Sequence, residues 1–189
     1  MSATIVLVVL AAVAAWLIFT FNGLIALRNQ VRNAFRQIDV QLKRRHDLIP
    51  NLVNSVKGEM KFEQDTLEKV ISARSSAMAA SAGGNVGEIS RKEGELSMAL
   101  GKLFALSENY PNLKASDNVR TLMEELSSTE NKIAFSRQLY NDLVTSFNTK
   151  QQVFPTNMIA AMLGFQASDL FELPDNSVER ENPKVDLAV

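Results

Sequence analysis

From Thr4 to Phe21 the chain reads TIVLVVLAAVAAWLIFTF, and no charged residue occurs between Ala3 and Leu27. At a rise of about 1.5 Å per residue, about twenty such residues in a helix span the roughly 30 Å hydrocarbon core of a bilayer. A core helix of a small soluble protein normally keeps a polar face, whereas this stretch is apolar all round. The pattern therefore predicts a transmembrane anchor over residues 1–27.

A cleaved secretory signal is the main alternative for this segment, because Ala12, Val13 and Ala14 resemble a small-residue processing site. Secretory signals usually begin with a positive region, whereas the terminal amine is the only charge before this apolar run. The run also continues past the small residues from Trp16 to Phe19. We therefore expect the segment to stay attached to the protein.

Basic residues follow the apolar segment directly, opposed only by Asp39 until Asp47. The positive-inside rule counts basic residues within about 15–20 positions of a span. It predicts a single-pass protein of the cell (inner) membrane with its C-terminal part in the cytoplasm, with a periplasmic or extracellular location of this part as the alternative. The basic residues are expected to face anionic membrane lipid or a partner, with a solvated helix face as the alternative. They are Arg28, Arg32, Arg36, Lys43, Arg44 and Arg45.

Downstream of the anchor, apolar residues recur at three- and four-residue steps from Asn22 to Met78, which is typical of an amphipathic helix. The anchor is therefore expected to continue directly into a long helix. Pro50 interrupts the pattern, because it lacks a backbone donor and its ring collides with the carbonyl of His46. We expect a kink or a restart of the helix there, with Asp47 as its cap.

Turn signals predict further helices along the chain. The pair Gly83 and Gly84 reverses the chain, Pro111 follows a helix end, and Gly164 suits a left-handed helix cap. The predicted helices are residues 88–107, residues 116 or 117 to 152, and residues 156–163.

Short connections between long amphipathic helices force neighbouring helices to run antiparallel. The predicted fold class is therefore all-α, with an N-terminal transmembrane helix followed by an elongated antiparallel three- to four-helix bundle over residues 28–168. Residues 169–189 carry six acidic residues against Arg180 and Lys184 and have no periodicity. They predict an acidic, extended tail.

Composition excludes several classes of function. The formal net charge of −1 gives no general attraction to nucleic acid, and the chain has no cysteine for a thiolate nucleophile or a zinc knuckle. His46 is the only histidine, and its charged neighbours indicate a solvated surface residue rather than a catalytic base. The acidic pairs Glu124 with Glu125 and Glu63 with Glu68 are typical of exposed helices. We predict no enzyme activity and no catalytic, cofactor-binding or metal site.

A set of polar residues lies at helical spacing near the apolar stripes. These residues are expected either to form hydrogen bonds between helices that fix the register of the bundle or to form a partner-binding surface. The set is Asn33, Asp39, Asn51, Glu130, Asn131, Arg137, Asn141 and Asn148.

Several motifs along the chain match those of a known family. The most specific stretch reads IDVQLKRRHDLIPNLV from Ile38 to Val53. Ala73-Arg74, ENYPNLK from Glu108 to Lys114, TENKIA from Thr129 and RQLYN from Arg137 also match. In these motifs the chain resembles the LemA family, over nearly its whole length. The resemblance implies a membrane-anchored helical bundle without an established enzymatic activity. It also implies an association with bacterial membrane-protein quality control, with an HtpX-type zinc metalloprotease as a neighbour.

These expectations combine into a function. The chain is predicted to be a membrane-anchored, non-enzymatic scaffold or adaptor that binds membrane lipid and a membrane-associated protein. The alternative is a homo-oligomer that lines, shapes or stabilises the membrane, in which helices of neighbouring copies pack side by side.

Overall fold

The computed structural model describes residues 2–58, 60 and 63–172, and within this part of the chain all regular structure is helical. The predicted all-α fold class is therefore confirmed. The helices are α1 (Ser2–Val56), α2 (Gln64–Gly83), α3 (Val86–Ser107), α4 (Pro111–Ala115), α5 (Asp117–Gln152) and α6 (Thr156–Met162).

The chain forms two compact units. Among the described residues, the first unit comprises residues 2–44 and 128–170, and the second comprises residues 45–58, 60, 63–127 and 171–172. Helices α1 and α5 each contribute to both units, because each crosses a boundary between them.

In the first unit, α1 and α5 run antiparallel. The rings of Phe35 and Tyr140 lie 5.8 Å apart, and further along the pair Lys150 reaches the backbone of Gly23, so residue numbers rise on one helix as they fall on the other. Buried apolar residues recur every seven positions on both helices, which keeps one stripe of each facing the other. These residues are Leu24, Val31 and Ile38 on α1 and Ile133, Tyr140 and Phe147 on α5.

The N-terminal part of α1 has a different environment. Every residue from 2 to 19 is exposed, including the large apolar side chains of Ile5, Leu7 and Phe19. Within the described residues, α1 is the one helix long and apolar enough to cross a membrane. An apolar helix without a protein cover indicates membrane anchoring, because water is a poor solvent for such a surface.

In the second unit, α2 and α3 form an antiparallel hairpin around the turn at Gly84 and Asn85. Gly84 adopts a φ of 73°, a left-handed conformation that glycine enters without the steric penalty of a Cβ atom. The Asn85 side chain accepts a hydrogen bond of 2.9 Å from the backbone N–H of Glu88 and so caps α3. The core packs these helices against α1 and α5, and its largest buried members are Ile49, Leu52, Met60, Leu96, Leu103 and Leu126.

Helix α1 ends at a different place from the one predicted. It passes through Pro50 and ends at Val56, and α2 begins only at Gln64. The restart expected at Pro50 as one of two alternatives is therefore wrong and the kink stays a prediction, while the prediction of one helix reaching Met78 is wrong. Gly58 has a low helix propensity, and the buried Met60 belongs to the core beside the break. The chain thus reverses after Val56, and α2 packs back against α1.

The remaining predicted helices agree with the structure to within two residues at each end, and the short helix α4 is additional. Of the predicted acidic tail, residues 169–172 are described and have no regular structure. The backbone carbonyl of Asp169 accepts a hydrogen bond of 2.9 Å from the Tyr140 hydroxyl, and Phe171 is buried. Residues 173–189 lie outside the described part of the chain.

Candidate functional site

The basic residues after the apolar segment fall into two groups. Arg28, Arg32 and Arg36 are exposed on α1 at steps of four residues, and Lys43 and Arg44 are exposed further along the same helix. The Arg28 guanidinium lies 5.5 Å from the centre of the Phe165 ring, at a distance suited to a cation–π contact. These five side chains remain candidates for contact with lipid or a partner.

Arg45 does not belong to that surface. Its side chain is 1% exposed, so its prediction as a membrane-facing or partner-facing residue is wrong. One terminal nitrogen forms an ion pair with Glu93 Oε2, and the other donates a hydrogen bond of 2.9 Å to Ser97 Oγ. A buried guanidinium needs such partners, because the loss of its hydration is costly. Arg45 therefore holds α1 to α3 within the second unit.

His46 is buried beside the same carboxylate, which corrects its interpretation as a solvated residue. Its Nε2 atom lies 2.9 Å from Glu93 Oε1, at hydrogen-bonding distance but without the alignment of a hydrogen bond. Burial, followed by repulsion from Arg45 and Arg74, lowers the pKa of His46 from 6.5 to about 4. His46 is thus a neutral group at pH 7.

Arg74 completes the cluster through the backbone of α1. Because Pro50 has no N–H, the carbonyl of His46 lacks the donor that the fourth following residue normally provides in a helix. Arg74 Nε on α2 donates a hydrogen bond of 2.7 Å to this carbonyl oxygen. The proline is therefore tolerated inside α1 because a second helix satisfies the acceptor that it leaves open.

Together these contacts form the buried polar cluster of Arg45, His46, Arg74, Glu93 and Ser97, which joins α1, α2 and α3 of the second unit. A shift of one helix by a single residue would separate the charges in a low-dielectric interior, where an unpaired charge is strongly unfavourable. We interpret the cluster as the feature that fixes the register of these helices.

The members of the cluster are bonded to one another and largely enclosed. Ser97 Oγ accepts a hydrogen bond of 2.9 Å from Arg45. The ionic side chains of Arg45 and Glu93 are at most 4% exposed, which leaves a substrate no access to them. Within the described residues, no group of three or more histidines and acidic residues is placed to hold a metal ion.

The predicted set of register-fixing polar residues is dispersed. Four members are exposed and so do not fix the register through buried hydrogen bonds, namely Asn33, Asp39, Asn51 and Asn131. The half-buried members Glu130, Arg137 and Asn141 have interactions within the protein. Asn148 bonds twice to the backbone of Ser168, at 2.9 Å each, and thereby ties the segment after α6 to α5. The exposed members remain candidates for a partner-binding surface.

The second unit also carries an open groove of about 530 Å³ between α3, α4 and α5. Phe104, Leu113 and Met123 supply apolar side chains to it, and Glu108, Arg120 and Glu124 supply charged ones. An apolar groove with a charged rim is a suitable binding surface for a protein segment. We call it the α3–α5 groove.

The described residues define a helical-bundle protein with one apolar N-terminal helix. The model of the LemA family matches residues 34–187, and the chain belongs to the LemA family. The motif from Ile38 to Val53 supplies Arg45, His46 and Pro50, and the second motif supplies Arg74, so these two motifs meet at the buried polar cluster.

Named relatives include Protein LemA of Metamycoplasma hominis, which is 31% identical over 169 residues, covering 85% of this chain and 75% of the relative. Magnetosome protein MamQ 2 of Paramagnetospirillum magneticum is 24% identical over 90% of this chain and 72% of its own length. Magnetosome protein MamQ of Magnetospirillum gryphiswaldense is 22% identical over 86% of this chain and 68% of its own length. None of these names denotes an enzyme.

Proposed function

We propose that this chain is a membrane-anchored, non-enzymatic helical adaptor. The observation that carries this proposal is the exposure of residues 2–19 of α1, which are apolar enough to cross a bilayer. The same helix continues into both packed units. A bilayer would cover the apolar part, since about twenty residues match its hydrocarbon thickness. The helical domain would then be held permanently at the membrane.

The exposed basic residues of α1 support a cytoplasmic location of the packed units. Arg28, Arg32 and Arg36 follow the span directly, where basic residues are enriched on the cytoplasmic side. A cysteine in place of the exposed Ser72 tests this side in intact cells, because an impermeant reagent should leave it unlabelled. Labelling before the cells are opened would contradict the proposed orientation.

The α3–α5 groove is the proposed protein-binding surface. Its apolar floor offers area that a partner would bury, and its charged rim offers directional contacts. The proposed partner is a membrane-associated protein, for which family resemblance suggests membrane-protein quality control and an HtpX-type metalloprotease. A partner in the same membrane gains from a high local concentration at the anchored groove.

Photo-crosslinking in native membranes tests this surface. A photoreactive residue in place of Met123 lies in the groove, and one in place of the exposed Ile71 on α2 serves as the control. The adaptor proposal predicts a discrete crosslinked membrane protein from Met123 and not from Ile71. Equal yields from both positions, or products that contain only this chain, would contradict it.

Self-assembly is the second candidate function, and exposed apolar residues of the first unit favour it. Val40 on α1 and Phe135 and Leu139 on α5 are exposed side chains that a second copy could cover. Light scattering after size-exclusion chromatography in detergent separates the two functions. A discrete small species supports the adaptor, and a large ring or filament supports the membrane-lining oligomer.

A further inference from the structure

The segment around α6 is a second uncharged stretch of the chain. No charged residue occurs from Gln151 to Ser168, between Lys150 and Asp169. The segment is also apolar on its outer side, where Phe154 is 79%, Met158 65% and Met162 79% exposed. Adjacent exposed apolar side chains of this size mark a surface that another apolar phase covers.

The segment lies beside the end of the apolar run of α1, within the first unit. Leu17, Ile18 and Phe21 of α1 line an apolar groove of about 460 Å³ together with Ile159, Met162 and Leu163. Ile159 and Ala160 are the buried residues of α6. The outer side of α6 carries no charged residue and its exposed polar residue is Asn157, so its polar face is smaller than a helix at a water boundary normally shows.

Two charged residues lie toward the C-terminal side of this groove along α1. Arg28 lies against Phe165, and Lys150 reaches Gly23, whereas the groove between α6 and α1 extends to Leu17 and Ile18. From Gly23 to Ile18 the axis of α1 descends by about 7 Å toward the bilayer centre. Helices that lie in the interface of a membrane bury their apolar side by about 5–10 Å. The distance along α1 from Gly23 to Ile18 falls in this range, so α6 beside Ile18 lies at the depth of such a helix.

Two backbone hydrogen bonds close the C-terminal end of α6. Gly164, with a φ of 69°, donates its N–H to the Ala161 carbonyl at 3.2 Å, and the Phe165 N–H donates to the Ala160 carbonyl at 3.0 Å. This pair of bonds is the Schellman arrangement, which closes a helix end without water. A turn in contact with lipid requires such closure, because lipid offers no hydrogen bonds.

We propose that α6 is a second membrane-contact element, and that the acyl chains of the leaflet beside the end of the α1 span cover Phe154, Met158, Met162 and Leu163. The proposal rests on the proposed anchoring by α1 and deepens it, because two contacts fix the tilt and rotation of the first unit at the membrane. The continuous apolar surface from Ile18 to Met162 is what favours lipid over a second protein as the cover.

Environment-sensitive labels on the full chain test this proposal. The chain has no cysteine, so single cysteines in place of Met162, Ile18 or Met98 direct an NBD fluorophore to one site each. Met98 is the matched control, since it is an exposed methionine on α3 of the second unit. The labelled proteins are placed in vesicles of phosphatidylcholine and phosphatidylglycerol, with a nitroxide lipid as the membrane quencher and iodide as the aqueous quencher.

The expected result is that the labels at Met162 and Ile18 lose most of their emission to the nitroxide lipid, whereas the label at Met98 is quenched mainly by iodide. Quenching of the Met162 label by iodide would overturn the α6 proposal, and protection from both quenchers would overturn it in favour of a protein cover. If the Ile18 label also escapes the nitroxide lipid, anchoring by α1 itself fails. The Ile18 label therefore separates failure of the inference from failure of the proposed function.

Discussion

Replacing Glu93 with leucine should destabilise the second unit more than any surface substitution. The ion pair of Arg45 and Glu93 is buried, with side chains 1% and 4% exposed. In the Glu93→Leu protein the Arg45 guanidinium stays in the interior without its counter-charge, and Arg74 adds to the repulsion. Removing one partner of a buried pair lowers the free energy of unfolding by about 3–5 kcal/mol, which for a chain of this size lowers Tm by about 6–20 °C.

Replacing the other partner of the pair, Arg45, should lower the free energy of unfolding by less. In Arg45→Met the carboxylate of Glu93 loses its cation, but the adjacent His46 can then take up a proton and pair with it. The double variant Arg45→Met with Glu93→Leu buries no ion pair and should recover most of the lost stability. A double-mutant cycle from urea unfolding followed by circular dichroism gives the coupling energy, which we expect to be about 3 kcal/mol.

Glu95→Leu is the matched control. Its ion pair with Arg91 lies on the same helix at 2.9 Å, but these side chains are 37% and 47% exposed, and surface pairs contribute at most about 1 kcal/mol. If Glu93→Leu and Glu95→Leu lower the unfolding midpoint equally, or if the double variant is no more stable than Glu93→Leu, the cluster does not fix the packing of α1 on α3.

Three further substitutions, at His46, Arg74 and Gly164, test other structural features by urea unfolding. The pKa of His46 is about 4 in the folded state and 6.5 in the unfolded state, so the unfolded chain binds the proton first as the pH falls. The free energy of unfolding should therefore decrease between pH 6.5 and pH 4, by up to about 3 kcal/mol. His46→Gln should remove this component of the acid sensitivity, and an unchanged pH profile would contradict the assignment. Arg74→Met should lower the free energy of unfolding by about 1–3 kcal/mol by leaving the His46 carbonyl without a donor. The loss should shrink in a Pro50→Ala background, where the helix supplies its own donor, and an equal loss in both backgrounds would exclude the proposed compensation. Gly164→Ala should lower it by about 1 kcal/mol, because alanine is strained at a φ of 69°, and an unchanged midpoint would contradict that conformation.

Most of the helices could be predicted from the sequence, because the patterns that indicate them lie within each helix or at its ends. Apolar residues at three- and four-residue steps predict which face of a helix is buried, and Gly84 and Gly164 mark where helices end. The break after Val56 lacks a comparably strong local signal, since Gly58 alone only weakens a helix. It depends on the core that α1 and α2 form together, which sequence periodicity along one helix does not reveal.

The buried polar cluster escaped prediction because its central pair, Arg45 and Glu93, is charged. Leu42 and Ile49 of the apolar stripe of α1 are seven positions apart, and Arg45 occupies the missing position between them, three residues after Leu42 and four before Ile49. Glu93 fills the corresponding position between Ile89 and Leu96 on α3. A charged residue inside an apolar stripe is a signal of a buried pair, but its partner lies 48 residues away, so the pairing itself requires the fold.

For the polar residues beside the apolar stripes, the expectation of hydrogen bonds between helices fails where the residues are exposed. Asn33 and Asn51 each lie one position before a buried residue of α1, Ala34 and Leu52 respectively. A step of one residue turns a side chain by about 100° around a helix. Both are exposed, as the structure shows. Near the edge of a stripe, sequence spacing alone does not separate an inter-helix contact from a solvent-facing one.

Alkaline carbonate extraction of membranes that contain the full chain tests the membrane anchor most directly. If the apolar part of α1 stays attached and crosses the bilayer, the protein remains in the sedimented membranes with its first 27 residues intact by mass spectrometry. Release into the supernatant, or a mature chain that begins beyond Phe21, would contradict the anchor and with it the proposed adaptor function.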